Sequence, residues 1–192
     1  AFHQMRLAGI HFKTGVFTNL TQDHLDYHGT IEEYKNCKKT LFYNSDNIIL
    51  NADDEASEFM ASGINGNIKY YGISSEADYK AENIQLKSDD SAFNMIVGNK
   101  NTEIKTAIGG KFTPYNAICA GAIALELGVS LEEISSAFSK MTGVKGRAEV
   151  VPTGRDFTVL IDYAHTPDGL ENILKTFSEV EKNRLIVLFG CG

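Results

Sequence analysis

Between Thr18 and Phe42 the sequence contains a dense group of side chains able to bind a metal ion, in the string TNLTQDHLDYHGTIEEYKNCKKTLF. Its centre, DHLDYH over Asp23–His28, carries two aspartates and two histidines at short spacing. Carboxylate oxygens and imidazole nitrogens in such a group suit magnesium, manganese or zinc. The same residue types are also common in turns and helix caps. Taken alone, the string leaves both interpretations open.

A helix is predicted to follow this polar turn. Thr30 and Glu33 have the spacing of a capping box, in which hydroxyl and carboxylate satisfy the first free amides of a helix. Helical periodicity then places Lys38 on one apolar face with Ile31, Tyr34 and Leu41, which follow one another at intervals of three and four residues. Lys35 and Lys39 fall outside that face, and we expect both to be solvated.

Lys38 thus puts an amine where the helix should meet the core. In one interpretation its aliphatic stem covers apolar surface while the charge reaches water. In the other the amine is desolvated and uncharged, so that it can act as a nucleophile or combine with carbon dioxide. The product with carbon dioxide is a carbamate, which carries negative charge. His24, in the preceding turn, could meet that carbamate around a metal ion.

A second group of polar residues lies near the other end of the chain, in the string VLIDYAHTPDG over Val159–Gly169. Asp162 ends a predicted strand just before a helix begins. A carboxylate in this position often binds ribose hydroxyls, and the helix start favours phosphate. Capping of the helix by Thr166 or Asp168 is the alternative role for this string.

Two further residues have types suited to a nucleotide. Asn116, at a predicted helix start, could bind a purine edge or could cap the helix. Arg147, beside Gly146, could bind phosphate through two parallel hydrogen bonds, or form a salt bridge between domains. No GxxxxGK[ST] loop occurs in the sequence, so this chain has no Walker-type cradle for ATP phosphates.

The order of predicted elements indicates an α/β fold. Buried strands alternate with helices, which is the pattern of an open, mostly parallel sheet; the strands lie at 15–18, 47–50 and 68–73. Three later segments alternate apolar and polar residues, with a hairpin turn at Gly98–Asn101, and predict a small antiparallel flanking sheet at 79–86, 92–97 and 102–108. Two helices are predicted next, at 114–127 and 131–141.

A second domain is predicted to begin near residue 150. It opens with one βαβ unit, formed by a strand at 157–161, a helix at 167–179 and a strand at 184–189. Ligands of such sheets bind beyond the carboxyl ends of the strands, where Asp162 and His165 lie. The residues alone therefore indicate an α/β protein with a metal and nucleotide cleft between two domains.

Composition excludes several classes of protein. The 192 residues are 43% apolar, which supports a folded core, and the net charge of −7 disfavours nucleic-acid binding. The three cysteines, Cys37, Cys119 and Cys191, lack the spacing of a disulfide framework or a zinc site. The sequence has neither a signal peptide nor an apolar run of membrane-spanning length. We expect a cytoplasmic protein without nucleic-acid or membrane partners.

Taken together, these strings resemble the Mur ligase family. The matching segments are FTNLTQDHLDYHGTIEEYKNCKKTLF, LNADDE, YNAICAGAIALELG, GRAEVV and IDYAHTPDGLENIL followed by LIVLFGCG. They follow the family's order over nearly all 192 residues. The DHLDYHG and DYAHTPD strings together resemble the branch that adds the third residue of the peptidoglycan stem peptide, rather than other Mur ligases or folylpolyglutamate synthetase.

The resemblance implies two incomplete domains. Residues 1–149 would be the central ATPase domain, with its mostly parallel sheet but without its P-loop, and residues 150–192 the start of a Rossmann-like C-terminal domain. The enzyme would use ATP and Mg²⁺ to activate the D-glutamate carboxylate of UDP-MurNAc-L-Ala-D-Glu as an acyl phosphate. The amine of meso-diaminopimelate or L-lysine would then attack it, giving an amide. We expect a monomer, and a 192-residue chain that alone neither hydrolyses ATP nor ligates.

The resemblance also implies roles for residues on the metal and substrate side. Lys38, as a carbamate, and His24 match the family residues that hold magnesium and serve catalysis. Gln4 and Arg6 match positions that contact the UDP-MurNAc substrate. The alternatives for the chain as a whole are a ligase like folylpolyglutamate synthetase and a catalytically inactive nucleotide-binding fragment.

On the nucleotide side, Asn116, Arg147 and Asp162 match family contacts to adenine, phosphate and ribose, and His165 lies close to that site. The sequence departs from the family pattern in two places. The GVKG before Arg147 lacks the proline common there, and Cys119 stands where the family often has asparagine. Both departures concern details of adenine binding.

Overall fold

A computed structural model of the protein describes residues 6–20, 30–180 and 184–190. Within these ranges the strands are β1 (Phe12–Phe17), β2 (Ser45–Asn51), β3 (Asn67–Gly72), β4 (Tyr79–Leu86), β5 (Ser91–Val97), β6 (Lys100–Thr106), β7 (Glu149–Val151) and β8 (Val159–Ile161). The α-helices are α1 (Ile31–Lys39), α2 (Ser57–Ala61), α3 (Phe112–Glu126), α4 (Leu131–Ser139) and α5 (Pro167–Val180), and a 3₁₀ turn, Phe42–Asn44, precedes β2.

The first six strands form one sheet whose spatial order is the order of the chain. Strands β1 to β4 pair in parallel, and β4, β5 and β6 pair antiparallel. The parallel and antiparallel parts meet at a narrow contact, in which Tyr71 and Gly72 of β3 pair with Tyr79 and Lys80 of β4. The predicted α/β class, with a mostly parallel sheet and a small antiparallel part, is confirmed.

Strand β2 shows why helices cover both faces of the sheet. Successive side chains of a strand point to opposite faces. Ile48 and Leu50 pack on one face with Phe42 and Met60, from the 3₁₀ turn and α2. Ile49 faces the other side, in the cluster that includes residues of α3 and α4. Because both faces of β2 are apolar, each must be covered, and the result is three layers.

Helix α1 begins as predicted. The Glu33 backbone N–H donates to Thr30 Oγ1 at 3.2 Å, the first of the two bonds of the predicted capping box. Cys37 and Cys119 are free thiols, and Cys191 lies outside the described residues. In the described ranges no helix has the length and apolar character needed to cross a bilayer.

Lys39 is buried, so the prediction that it is solvated was wrong. The residue is only 7% exposed, and its Nζ donates to Phe59 O and to Ser62 Oγ, both at 2.7 Å. The amine also lies 4.5 Å from the centroid of the Phe59 ring. The last carbonyls of a helix have no intrahelical partner and attract cations. Periodicity within α1 cannot show that the end of α2 lies beside Lys39.

We expect Lys39→Met to lower the free energy of unfolding by about 1–3 kcal/mol, because hydrogen bonds from a charged group would be lost from a buried site. Urea denaturation of the protein measures this change. Lys35→Met is the matched control, since the Lys35 amine lies over the same Phe59 ring, at 4.4 Å from its centroid. Equal losses in the two variants would show that the ring contact, and not the hydrogen bonds, makes Lys39 stabilising.

The C-terminal part of the chain differs from its prediction in one element. Strands β7 and β8 form an antiparallel pair, with Glu149 opposite Ile161, and α5 follows. Residues 184–190 are described but form no strand, and the apolar side chains of 185–189 are exposed. A strand needs a neighbouring edge for its N–H and C=O groups. The apolar pattern of 184–189 predicts a strand, but it cannot supply that edge.

Candidate functional site

A cavity of about 760 Å³ lies between α3 and the segment that follows β8. All four residues that the sequence analysis assigned to a nucleotide line it: Asn116, Arg147, Asp162 and His165. They come from α3, from the turn before β7 and from the end of β8, so only the fold brings them together. The volume is typical of a small-molecule site.

Much of the cavity wall is apolar, and sequence reasoning missed it. The lining side chains of this kind include Ile108, Phe112, Phe138, Met141 and Ile173. An apolar residue that lines a ligand site has the same spacing in the sequence as one that fills a core. A cavity with apolar walls and a few polar groups suits a flat ring bearing polar substituents.

Asn116 lies within α3, and its side chain is exposed to the cavity rather than capping the helix. Helix α3 begins four residues earlier, at Phe112, with Lys111 in the cap position. The alternative prediction, that Asn116 is a helix cap, is therefore wrong. Its amide presents two donors and an acceptor, which can pair with the edge of a planar base.

Arg147 is carried by a tight turn. Its backbone N–H donates to Val144 O at 3.0 Å, and Gly146, with φ of +70°, donates its N–H to Glu149 Oε2 at 2.8 Å. The guanidinium carbon lies 5.0 Å from the centroid of the Tyr163 ring, a cation–π contact. A guanidinium in a cation–π contact can still offer its N–H groups to an anion.

Asp162 joins this turn to the end of β8. Its Oδ2 accepts from the Ala148 N–H and its Oδ1 from the Ala164 N–H, both at 2.8 Å. Ala148 is buried and has φ of +45°, a left-handed conformation that costs a residue with a Cβ about 1–2 kcal/mol. Asp162 thus supports the residue next to Arg147. Each carboxylate oxygen keeps a second lone pair for a ligand hydroxyl.

The remaining residues of the DYAHTPD string have mixed roles. His165 Nδ1 lies 3.0 Å from Tyr163 O, and the two rings meet edge to face with centroids 5.0 Å apart. Thr166 Oγ1 accepts from the Gly169 N–H at 3.2 Å at the start of α5, so the predicted capping by Thr166 is confirmed. The Asp168 side chain lies outside the described part of the structure.

Lys38 reaches from α1 to the carboxyl end of β1. Its Nζ donates to Asn19 O at 3.1 Å and lies 4.8 Å from the centroid of the Tyr34 ring, and the side chain is half-buried. This is the sheet edge at which α/β proteins bind ligands. His24 and Gln4 lie outside the described residues, whereas Arg6 is described and exposed. Among the described side chains, no three His, Cys, Asp or Glu residues come together as a metal site.

Comparison with known families matches two successive parts of the chain. The model of the Mur ligase middle domain matches residues 1–124. The model described as "Mur ligase, glutamate ligase domain" matches residues 146–192.

Curated relatives match along the whole chain. UDP-N-acetylmuramoyl-L-alanyl-D-glutamate–2,6-diaminopimelate ligase 1 of Clostridium acetobutylicum is 43% identical over 189 residues, covering 97% of this chain and 39% of the relative. The 2,6-diaminopimelate ligase of Halalkalibacterium halodurans is 43% identical over 198 residues, covering 100% of this chain and 41% of the relative. The chain therefore spans about two fifths of the length of these relatives.

Solved structures show the same relationship. A UDP-N-acetylmuramoyl-L-alanyl-D-glutamate–2,6-diaminopimelate ligase superposes with a TM-score of 0.80 at 31% identity, over 100% of this chain and 40% of that one. The MurF ligase of Thermotoga maritima in complex with ADP gives 0.71 at 14% identity, over 90% of this chain and 40% of that one, and shares the fold. Since the middle-domain model spans more than half of the sequence, the chain belongs to the Mur ligase family.

Proposed function

We propose that the chain is part of an ATP-dependent ligase that adds the third amino acid to UDP-MurNAc-L-Ala-D-Glu in peptidoglycan synthesis. The observation that carries this proposal is the cavity that gathers Asn116, Arg147, Asp162 and His165 from separate segments. The relatives named above are ligases for 2,6-diaminopimelate, which favours diaminopimelate over L-lysine as the incoming amine. A cytoplasmic location and a monomeric state stay predictions from the family resemblance.

The lining of the cavity fits ATP. The apolar wall would hold the adenine ring, and the Asn116 amide would pair with its edge. The free lone pairs of Asp162 would accept from ribose hydroxyls. Arg147, stacked on Tyr163, would bind phosphate oxygens through two of its N–H groups. His165, whose ring meets the ring of the same tyrosine edge to face, would border the nucleotide. Bound ATP would supply the phosphoryl group that activates the substrate carboxylate.

We further propose that Lys38, as a carbamate, and His24 hold the magnesium ion. A carbamate keeps one N–H, which can still donate to Asn19 O, and adds two oxygens of the hard type that magnesium prefers. Magnesium supplies positive charge that stabilises a phosphoryl group during its transfer. Contacts of Gln4 and Arg6 with the UDP-MurNAc substrate stay predictions.

The test is a ligation assay on the full-length ligase that carries this chain. We expect ADP and phosphate to appear when UDP-MurNAc-L-Ala-D-Glu, diaminopimelate, ATP and Mg²⁺ are all present, and none when any one is omitted. Turnover with a folate and glutamate instead would support the folylpolyglutamate alternative and contradict the proposal. Binding of ADP without turnover on either substrate pair would identify a nucleotide-binding protein with no ligase activity.

A further inference from the structure

The turn at the end of β2, residues 51–54, holds the loop that follows β1. Asn51 Nδ2 donates to Thr18 O at 2.8 Å, and Asp54 Oδ2 accepts from the Leu20 N–H at 3.0 Å. These two bonds lie on either side of Asn19, whose carbonyl accepts from the Lys38 amine. The 51–54 turn therefore fixes the backbone that Lys38 contacts.

The same turn reaches the helix that lines the cavity. The Asp53 carboxylate accepts from the Tyr115 hydroxyl of α3 at 2.9 Å. It also accepts from the backbone N–H groups of Ile73, Ser74 and Ser75, at distances of 2.7 to 3.2 Å. Four donors converge on one side chain, so Asp53 ties the loop after β3 and the first turns of α3 to the end of β2.

The protonation equilibria agree with this geometry. Burial raises the pKa of Asp53, but the backbone N–H groups of residues 73–75 outweigh burial and hold the pKa well below its ordinary value. Burial, and then the bond to Asp53, raise the pKa of the Tyr115 hydroxyl to about 12. Asp53 is thus an ionised acceptor and Tyr115 a protonated donor over the whole physiological range.

Tyr115 directly precedes Asn116, which lines the cavity. We propose that Asp53 and Tyr115 are positioning residues that set the placement of Asn116 in the nucleotide cavity. The 51–54 turn at the end of β2 then holds two features in place: the start of α3 beside the cavity, and the backbone around Asn19 that Lys38 contacts. The inference rests on the proposed nucleotide function. It gives a role to the LNADDE string, one of the segments in which the chain resembles the Mur ligase family.

Tyr115→Phe tests the inference, because it removes the hydroxyl and keeps the ring. ADP and GDP are titrated by calorimetry into the full-length protein that carries this chain, and its Tm is measured in parallel. We expect ADP affinity to fall by about five- to tenfold, the size of effect of one ordinary hydrogen bond, because a displaced Asn116 amide would pair poorly with the base. We also expect the preference for ADP over GDP to shrink, because a displaced Asn116 would read the base less well.

Tyr79→Phe is the matched control. The Tyr79 hydroxyl donates to the Glu126 carboxylate at the other end of α3, and burial, followed by that bond, raises its pKa to about 12 as well. Tm should fall by a similar amount in both variants, but ADP affinity should fall only in Tyr115→Phe. If Tyr79→Phe weakens ADP binding equally, general loosening of α3 is the cause and the inference is wrong.

A double-mutant cycle shows whether Tyr115 acts through Asn116. In an Asn116→Ala background, Tyr115→Phe should change ADP affinity no further; full additivity would contradict the inference. The outcomes also separate the two proposals. Failure of the unmodified protein to bind ADP would contradict the proposed function itself. Normal ADP binding by both the unmodified protein and Tyr115→Phe would contradict only the positioning role.

Discussion

Lys38→Ala in the proposed full-length ligase is expected to lower kcat by about 10³-fold or more, with the rate of phosphate release as the measurement. The proposed carbamate would be lost, and with it an oxygen ligand of the proposed magnesium ion. A metal ion in such a site contributes several kcal/mol of transition-state stabilisation. Since each 1.36 kcal/mol is tenfold in rate, about 4 kcal/mol accounts for the expected loss.

Two further measurements separate chemistry from structure at this position. Formate or acetate should restore part of the activity of Lys38→Ala, because a free carboxylate can occupy the place of the carbamate. Lys35→Ala removes an equal charge from the same helix and should stay within about twofold of the parent rate, because most substitutions away from a site change the free energy of unfolding by no more than about 0.5 kcal/mol. Full activity in Lys38→Ala would show that the amine only braces the Asn19 carbonyl.

Asp162→Ala is expected to weaken ADP binding by about 100-fold in a calorimetric titration. The proposed bonds to ribose would be lost, which alone is worth about 1–3 kcal/mol. The buried Ala148 N–H would also lose its acceptor, although Ala148 is in a left-handed conformation that needs support. The turn that carries Arg147 would then be free to move, so one substitution would affect both ribose and phosphate contacts.

Asp156→Ala provides the control for Asp162→Ala, because Asp156 is an exposed aspartate in the connection between β7 and β8. It makes the same change in net charge and should leave ADP affinity unchanged. Asp162→Asn helps to separate ribose binding from support of the turn at Ala148. Its amide has only one oxygen to share between the Ala148 and Ala164 N–H groups. ADP affinity equal to that of the unmodified protein in Asp162→Ala would exclude Asp162 from the nucleotide site.

Part of the polar side of the cavity was predictable from the sequence, because Asp162 and His165 lie between a strand end and a helix start. The apolar strand before them and the proline that begins the next helix are both recognisable in the sequence, and a helix start is a common site for anionic ligands. The apolar half was not predictable. Residues such as Phe138 and Met141 repeat with ordinary helical spacing, and only tertiary structure decides whether they face a core or a ligand.

Contacts between distant elements were also beyond the sequence. Asp53 and Tyr115 are 62 positions apart, and no periodicity relates them. The burial of Lys39 was not predictable for the same reason, because its hydrogen-bond partners lie at the end of another helix. The strand predicted at 184–189 shows the converse case: its apolar run satisfies the local pattern, but pairing depends on an edge that the pattern does not describe.

The chain-order arrangement of the six-stranded sheet has a consequence for how the protein folds. Its most distant pairing, between β1 and β2, joins residues 33 positions apart, as with Phe12 and Ser45, and β2 meets β3 over 20 positions. The entropic cost of closing a loop grows with the logarithm of its length, and short-range topologies fold faster. When one of the strands β2 to β6 leaves the ribosome, the strand with which it pairs has therefore already been synthesised. The sheet can grow by one edge at a time during synthesis, which shortens the period in which its apolar faces are exposed to aggregation.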